Sequence, residues 1–244
     1  MYTKYMDPDS FMKGPLIFSS THLIALIITI FLIITLYNVR NFQLIKGIGR
    51  WGLVIFLVGS ELWLNYWYFI TDMWDIRYTL PLQLCSISLY ICTWMLLTKQ
   101  KWAFELAYFL GLGGAIQALL TPELFYDFPH LRFIHFFVAH IAIVLAVFYM
   151  LWVEKYRIKI KSMWIAFFVL QGIAVFVFFI NTFTGGNYMF LAKKPANASL
   201  IDYLGPYPWY IISLEILVLV IFLLLYLPFY ILGKKDENEK RLEV

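Results

Sequence analysis

Residues 133–153 read FIHFFVAHIAIVLAVFYMLWV, 21 residues without an Asp, Glu, Lys or Arg. A helix needs about 20 largely apolar residues to cross a hydrocarbon core of ~30 Å, so this run is long enough to span a bilayer. Six similar runs accompany it, at about 20–38, 51–70, 79–97, 102–120, 162–182 and 209–232. They are too long for barrel strands and do not alternate with period two. The prediction is an all-α, polytopic membrane helical bundle with seven transmembrane helices.

Composition agrees. Of 244 residues 62% are hydrophobic and 14% charged, against roughly 45–50% and about 25% in ordinary soluble domains. These figures exclude a soluble enzyme, a disordered chain and a secreted disulfide scaffold. Trp51, Trp74, Trp102, Trp152, Trp164 and Trp209 stand at the ends of runs, as an interfacial aromatic belt requires. The expected organisation is an extracytoplasmic segment 1–19, one seven-helix domain 20–232 and a cytoplasmic tail 233–244, with no internal repeat. Orientation follows from Lys and Arg: 13 fall in the connections after runs 1, 3 and 5 and in the tail, and 6 in the others. That places the N-terminus outside and the C-terminus in the cytoplasm. No cleavable signal peptide is expected, since Asp7, Pro8, Asp9, Lys13 and Pro15 interrupt the place of an apolar core. Cys85 and Cys92 are seven apart on one helix, about two turns, too far for a disulfide.

Polar side chains inside the runs are functional candidates, because each is costly in hydrocarbon. Cys85, His140, Glu215 and Asn65 come from four different runs. At ~1.5 Å per residue they share one level roughly 8–10 Å below the outer surface. Gln117 and Asn181 lie shallower, Glu61 deeper, and Gln171 and Glu105 fall in the inner half. Two readings fit: a polar cavity opening toward the outer leaflet, or interhelical hydrogen bonds that hold the bundle together.

Cys85 and His140 admit a specific chemistry. A Cys with a reference pKa of about 8.5 is a poor nucleophile at neutral pH, and a neighbouring imidazole oriented by a carboxylate, Glu215 or Glu61, repairs this. An inert buried thiol is the alternative. The spacing of His130, His135 and His140 is not that of a zinc helix, so no metal is expected. His22 and His135 are placed at the outer interface. The connection 121–133, with Glu123, Asp127, His130 and Arg132, either gathers lipid headgroups or is a rigid turn. Loop 183–208 is a lid or a connector. Gly111, Gly113, Gly114 and Ala115 suit close helix packing. Pro81 is expected in the first turn of the third span, and Pro228 is expected to kink the seventh.

Two stretches, LPLQLC at 80–85 and GLGGAIQALLTPELFYDFPHLRFIHFFVAH at 111–140, together with seven spans in about 240 residues, resemble the YwaF-like family of bacterial integral membrane proteins. That family is distantly similar to a vertebrate seven-span acyltransferase that moves fatty acyl chains between phospholipids with a membrane Cys, and to androgen-induced-type lipid hydrolases that use a Thr and a His. The resemblance implies Cys85 as nucleophile and His140 as general base. The family pattern has a His two residues before the Cys, where this chain carries Gln83.

The expectation is therefore a Cys/His acyltransferase or acyl hydrolase acting on membrane lipid from the outer leaflet of a bacterial plasma membrane. Glu215 or Glu61 would orient His140, and Gln117, Asn65 or Gln83 would steady the oxyanion. Arg132 and His135 would help bind substrate. No cofactor and no nucleic-acid partner is implied. The rival readings are a transporter or receptor whose pocket performs no chemistry, and a structural membrane partner. A retinal protein is excluded by the absence of Lys from 209–232.

Overall fold

The computed structural model describes residues 5–12, 14–195 and 200–242. Lys13, residues 1–4 of the N-terminal segment, residues 196–199 of the long loop and the last two residues of the tail lie outside the described residues. Among the described residues there are helices and turns but no strand. We number seven helices: α1 Ser20–Val39, α2 Ile45–Ile70, α3 Leu84–Thr98, α4 Lys101–Leu120, α5 Leu131–Trp152, α6 Ile160–Thr184 and α7 Trp209–Leu242.

Six are long and apolar enough to cross a membrane, α7 over Trp209–Leu232. The exception is α3, the helical part of the run expected to span from 79. α3 has 15 residues, or about 22 Å at 1.5 Å per residue, short of a ~30 Å core. Pro81 is the reason. It has no N–H to give and drives the residue before it out of helical geometry, so Leu80–Gln83 is irregular and the helix starts at Leu84. Irregular backbone at membrane depth needs protein partners, and Leu80 N–H donates to the Tyr188 hydroxyl at 2.9 Å.

α4 and α5 form the centre, each with 56% of its span buried, against 17% for α1 and 11% for α7. Small residues allow this closeness. A Cβ added at Gly111 would lie 3.3–3.6 Å from Ile143, Cys92 and Ser88, and one at Gly114 would lie 3.4 Å from Leu84. Within α4, Ala107–Gly111 winds as a π-helical turn. α1 buries only His22, Ala25 and Thr29. His22, at the start of α1, is fixed at both ring nitrogens: its Nδ1 accepts from Phe18 N–H and its Nε2 donates to Leu119 C=O at 2.8 Å. α7 runs through Pro228 and on to Leu242.

The N-terminal segment is stitched across the turn before α5. Trp67 Nε1 donates to Met6 C=O, the Tyr126 hydroxyl to Pro8 C=O, and Met12 N–H to Phe125 C=O. His130 joins them, donating from Nε2 to Asp7 C=O while Nδ1 accepts from Arg132 N–H and the ring stacks on Tyr126. This makes 121–133 a pinned turn. Burial holds the His130 imidazole below its ordinary 6.5, aided by the Arg132 charge and opposed by the Asp7 carbonyl. The unfolded chain therefore takes up a proton more readily than the folded one. Docking of residues 5–12 is complete above about pH 6.5 and weakens as pH falls through the lower folded value. Hydrogen exchange of residues 5–12, corrected for intrinsic rates, is expected to accelerate from pH 7.5 to 5; a flat profile, or the same rise in His130→Gln, would refute this.

Candidate functional site

α3 opens with Cys85 in its first turn, where the leading N–H groups of a helix have no intrahelical acceptor and its positive end supports negative charge. Cys85 is a half-buried free thiol. It lines a cavity of about 440 Å³, within the usual range for small-molecule sites. Every helix except α1 contributes to the wall. All nine candidate residues line it: Cys85, His140, Glu215, Glu61, Asn65, Gln83, Gln117, Arg132 and His135. One part of the wall is apolar, with Leu89, Ile143, Leu170, Ala174, Leu214 and Val218.

His140 is buried on α5, and its Nδ1 donates to the Phe136 carbonyl one turn earlier at 2.6 Å. A neutral imidazole carries one proton, so this bond leaves a lone pair on Nε2. That Nε2 is buried and has no hydrogen-bond partner among the described residues. The orienting group is thus a backbone carbonyl and not the expected carboxylate. Glu215 accepts instead from Gln171 Nε2 at 2.6 Å, and Glu61 from the Tyr90 hydroxyl at 2.9 Å. The first pair ties α6 to α7 beside the cavity. No hydrogen bond joins Cys85 to His140.

The three amides differ. Asn65 donates back to its own helix at Glu61 C=O and Oε1. Gln83 accepts from Met189 N–H at 3.0 Å. Gln117 has no side-chain partner among the described residues. Arg132 lies over the rings of Trp67 and Tyr68, 5.6 and 5.5 Å from their centroids, and its Nη1 approaches His135 Nδ1 at 3.5 Å. His135 lines the cavity wall. Among the described residues no three His, Cys, Asp or Glu side chains are grouped to hold a metal ion.

Loop 183–208 is a lid or a connector by sequence, and described residues of it form a roof. Met189, Phe190, Leu191, Pro195 and Ile201 line the cavity. Tyr188 is the anchor, with no exposed surface. Its backbone N–H and C=O are both held by the Asn181 amide, at 2.8 and 3.0 Å, and its hydroxyl donates to Ile76 C=O at 2.7 Å. The Tyr210 hydroxyl donates to Phe190 C=O. At Gly186 an added Cβ would sit 2.7 Å from the Arg77 carbonyl oxygen, so only glycine allows that approach. No local pattern announces this latch; Asn181 looks like any other polar residue near a helix end.

These features define a multi-pass helical membrane protein with a partly polar cavity roofed inside its bundle. The chain belongs to the TMEM164 family, whose model matches residues 17–226. No curated protein and no solved structure matches it.

Proposed function

We propose that the cavity carries out acyl transfer or acyl hydrolysis on membrane lipid, with Cys85 as nucleophile and His140 as general base. One observation carries the reading: the His140 tautomer is locked by Phe136 C=O, which leaves an unpartnered Nε2 lone pair in the cavity that also holds the thiol. The Cys85 proton passes to that Nε2 as Sγ bonds to the ester carbonyl carbon. The tetrahedral oxyanion collapses, the C–O bond breaks, and the leaving alkoxide takes the proton back from His140. The thioester then passes its acyl group to a lipid hydroxyl or to water with the same base. The apolar wall suits an acyl chain. The resemblance to YwaF-like proteins and their acyltransferase relatives supports the same roles. The Lys and Arg distribution supports an outward-facing roofed end, and on this reading the lipid comes from the outer leaflet of a bacterial plasma membrane.

The test is full-length protein in vesicles holding a phospholipid with an alkyne-tagged acyl chain. The expected result is a hydroxylamine-sensitive tag on Cys85 in wild type that is absent from Cys85→Ala. A wild-type protein that never acquires the tag, under conditions where the lipid is shown to enter, overturns the reading.

A binding pocket without chemistry is the second reading, favoured by the absence of a bond between the thiol and the imidazole. It predicts that Cys85→Ser leaves ligand uptake into vesicles intact while Glu61→Gln alters it.

A further inference from the structure

Two buried imidazole nitrogens in this cavity have no hydrogen-bond partner among the described residues, His140 Nε2 and His135 Nε2. Their neighbours give them opposite character. His140 Nδ1 faces a carbonyl and must carry the proton, so its Nε2 is an acceptor. His135 Nδ1 faces the Arg132 guanidinium at 3.5 Å. A guanidinium only donates, and its charge disfavours a proton on the nitrogen beside it. His135 therefore carries its proton on Nε2, as a buried N–H donor left unsatisfied. Leaving such a donor without an acceptor is costly, and the cost is recovered when a ligand oxygen arrives.

We infer that His135 Nε2–H donates to the carbonyl oxygen of the bound acyl group and stabilises the oxyanion that forms on it, with Arg132 fixing the tautomer from behind. The inference rests on the acyl-transfer reading above and deepens it by assigning base and oxyanion donor to two histidines five residues apart on α5. The spacing suits the division of labour. At 100° per residue the two side chains leave the helix about 140° apart, so they approach a group lying across the helix face from different sides rather than stacking on each other. The free first-turn N–H groups of α3 supply the companion donors. Arg132 acts only through His135 and is a positioning residue.

The experiment compares two reactions of Cys85 in the full-length protein in phospholipid vesicles, each read at Cys85 by mass spectrometry. Acylation by 4-nitrophenyl octanoate builds an oxyanion; alkylation by iodoacetamide does not. In His135→Phe, acylation should fall about 10²–10³-fold, the usual effect of removing one oxyanion donor, while alkylation stays within a few-fold of wild type. His135→Gln, which restores an N–H, should recover part of the loss. Arg132→Met, which keeps the imidazole and frees its tautomer, should show a smaller selective fall and supplies the comparison if His135→Phe does not fold. Unchanged acylation in these variants, or acylation and alkylation falling together, overturns the inference. A wild type that is alkylated but never acylated overturns the acyl-transfer reading itself, which separates the two failures.

Discussion

Replacing His140 by Phe is expected to lower acyl-thioester formation at Cys85 about 10²–10⁴-fold, the usual contribution of a positioned general base. Phe keeps the ring volume and loses both nitrogens, so packing around Phe136, whose ring lies 4.2 Å from that of His140, is largely preserved. The substitution also removes one intrahelical side-chain bond, to Phe136 C=O, which still accepts from the backbone of its helix. A fold defect is therefore a small part of the effect. The discriminating measurement is chemical rescue: His140→Ala leaves a space of imidazole size, and added imidazole should restore thioester formation in a saturable way. Rescue without saturation, or a variant as active as wild type, would remove His140 from the chemistry.

The second large effect is expected at Asn181, far from any reacting atom. Asn181→Leu has nearly the same volume, but it strips both partners from the buried Tyr188 backbone. Each unsatisfied group costs about 1–3 kcal/mol, so the roof loses ~2–6 kcal/mol of its hold. That cost falls on local opening rather than on the bundle, because α4 and α5 make their core contacts elsewhere. At about 1.4 kcal/mol per tenfold, a bulky water-soluble maleimide should reach Cys85 at least roughly 30-fold faster than in wild type. Equal labelling rates in the two proteins would show that the roof does not govern access.

Much of this architecture is legible before any coordinates, for a physical reason. Apolar length and isolated polar residues are local properties, and the bilayer penalises both loudly. Residues 133–153 announce a span, and the cost of Glu61, Asn65, Gln117 or Glu215 in hydrocarbon marks them for a common wall. What was not legible depends on relations between elements. Pro81 is tolerated in a first helical turn, yet here it lies within the irregular stretch 80–83 that precedes a short α3, where Tyr188 is present to satisfy Leu80. The bond between Gln171 and Glu215 joins two helices, and depth counted along one helix does not reveal it. The orienter of His140 was sought among carboxylates when a carbonyl of its own helix supplies it. The bonds from His22 to Leu119 C=O and from His130 to Asp7 C=O likewise depend on partners about 100 residues away, which no local pattern names.

The π-helical turn at Ala107–Gly111 sets the phase of everything beyond it in α4. It accommodates one residue more per turn than regular winding, and each residue is worth about 100° of rotation. Were one residue lost there, the helix would relax into ordinary winding through nearly the same total rotation, so Gln117 would keep its place on the cavity lining and Gly114 its place against Leu84. The same loss in a regular turn just before or after it would rotate both by about 100°, so a single codon is dispensable at this irregular turn and not at its regular neighbours.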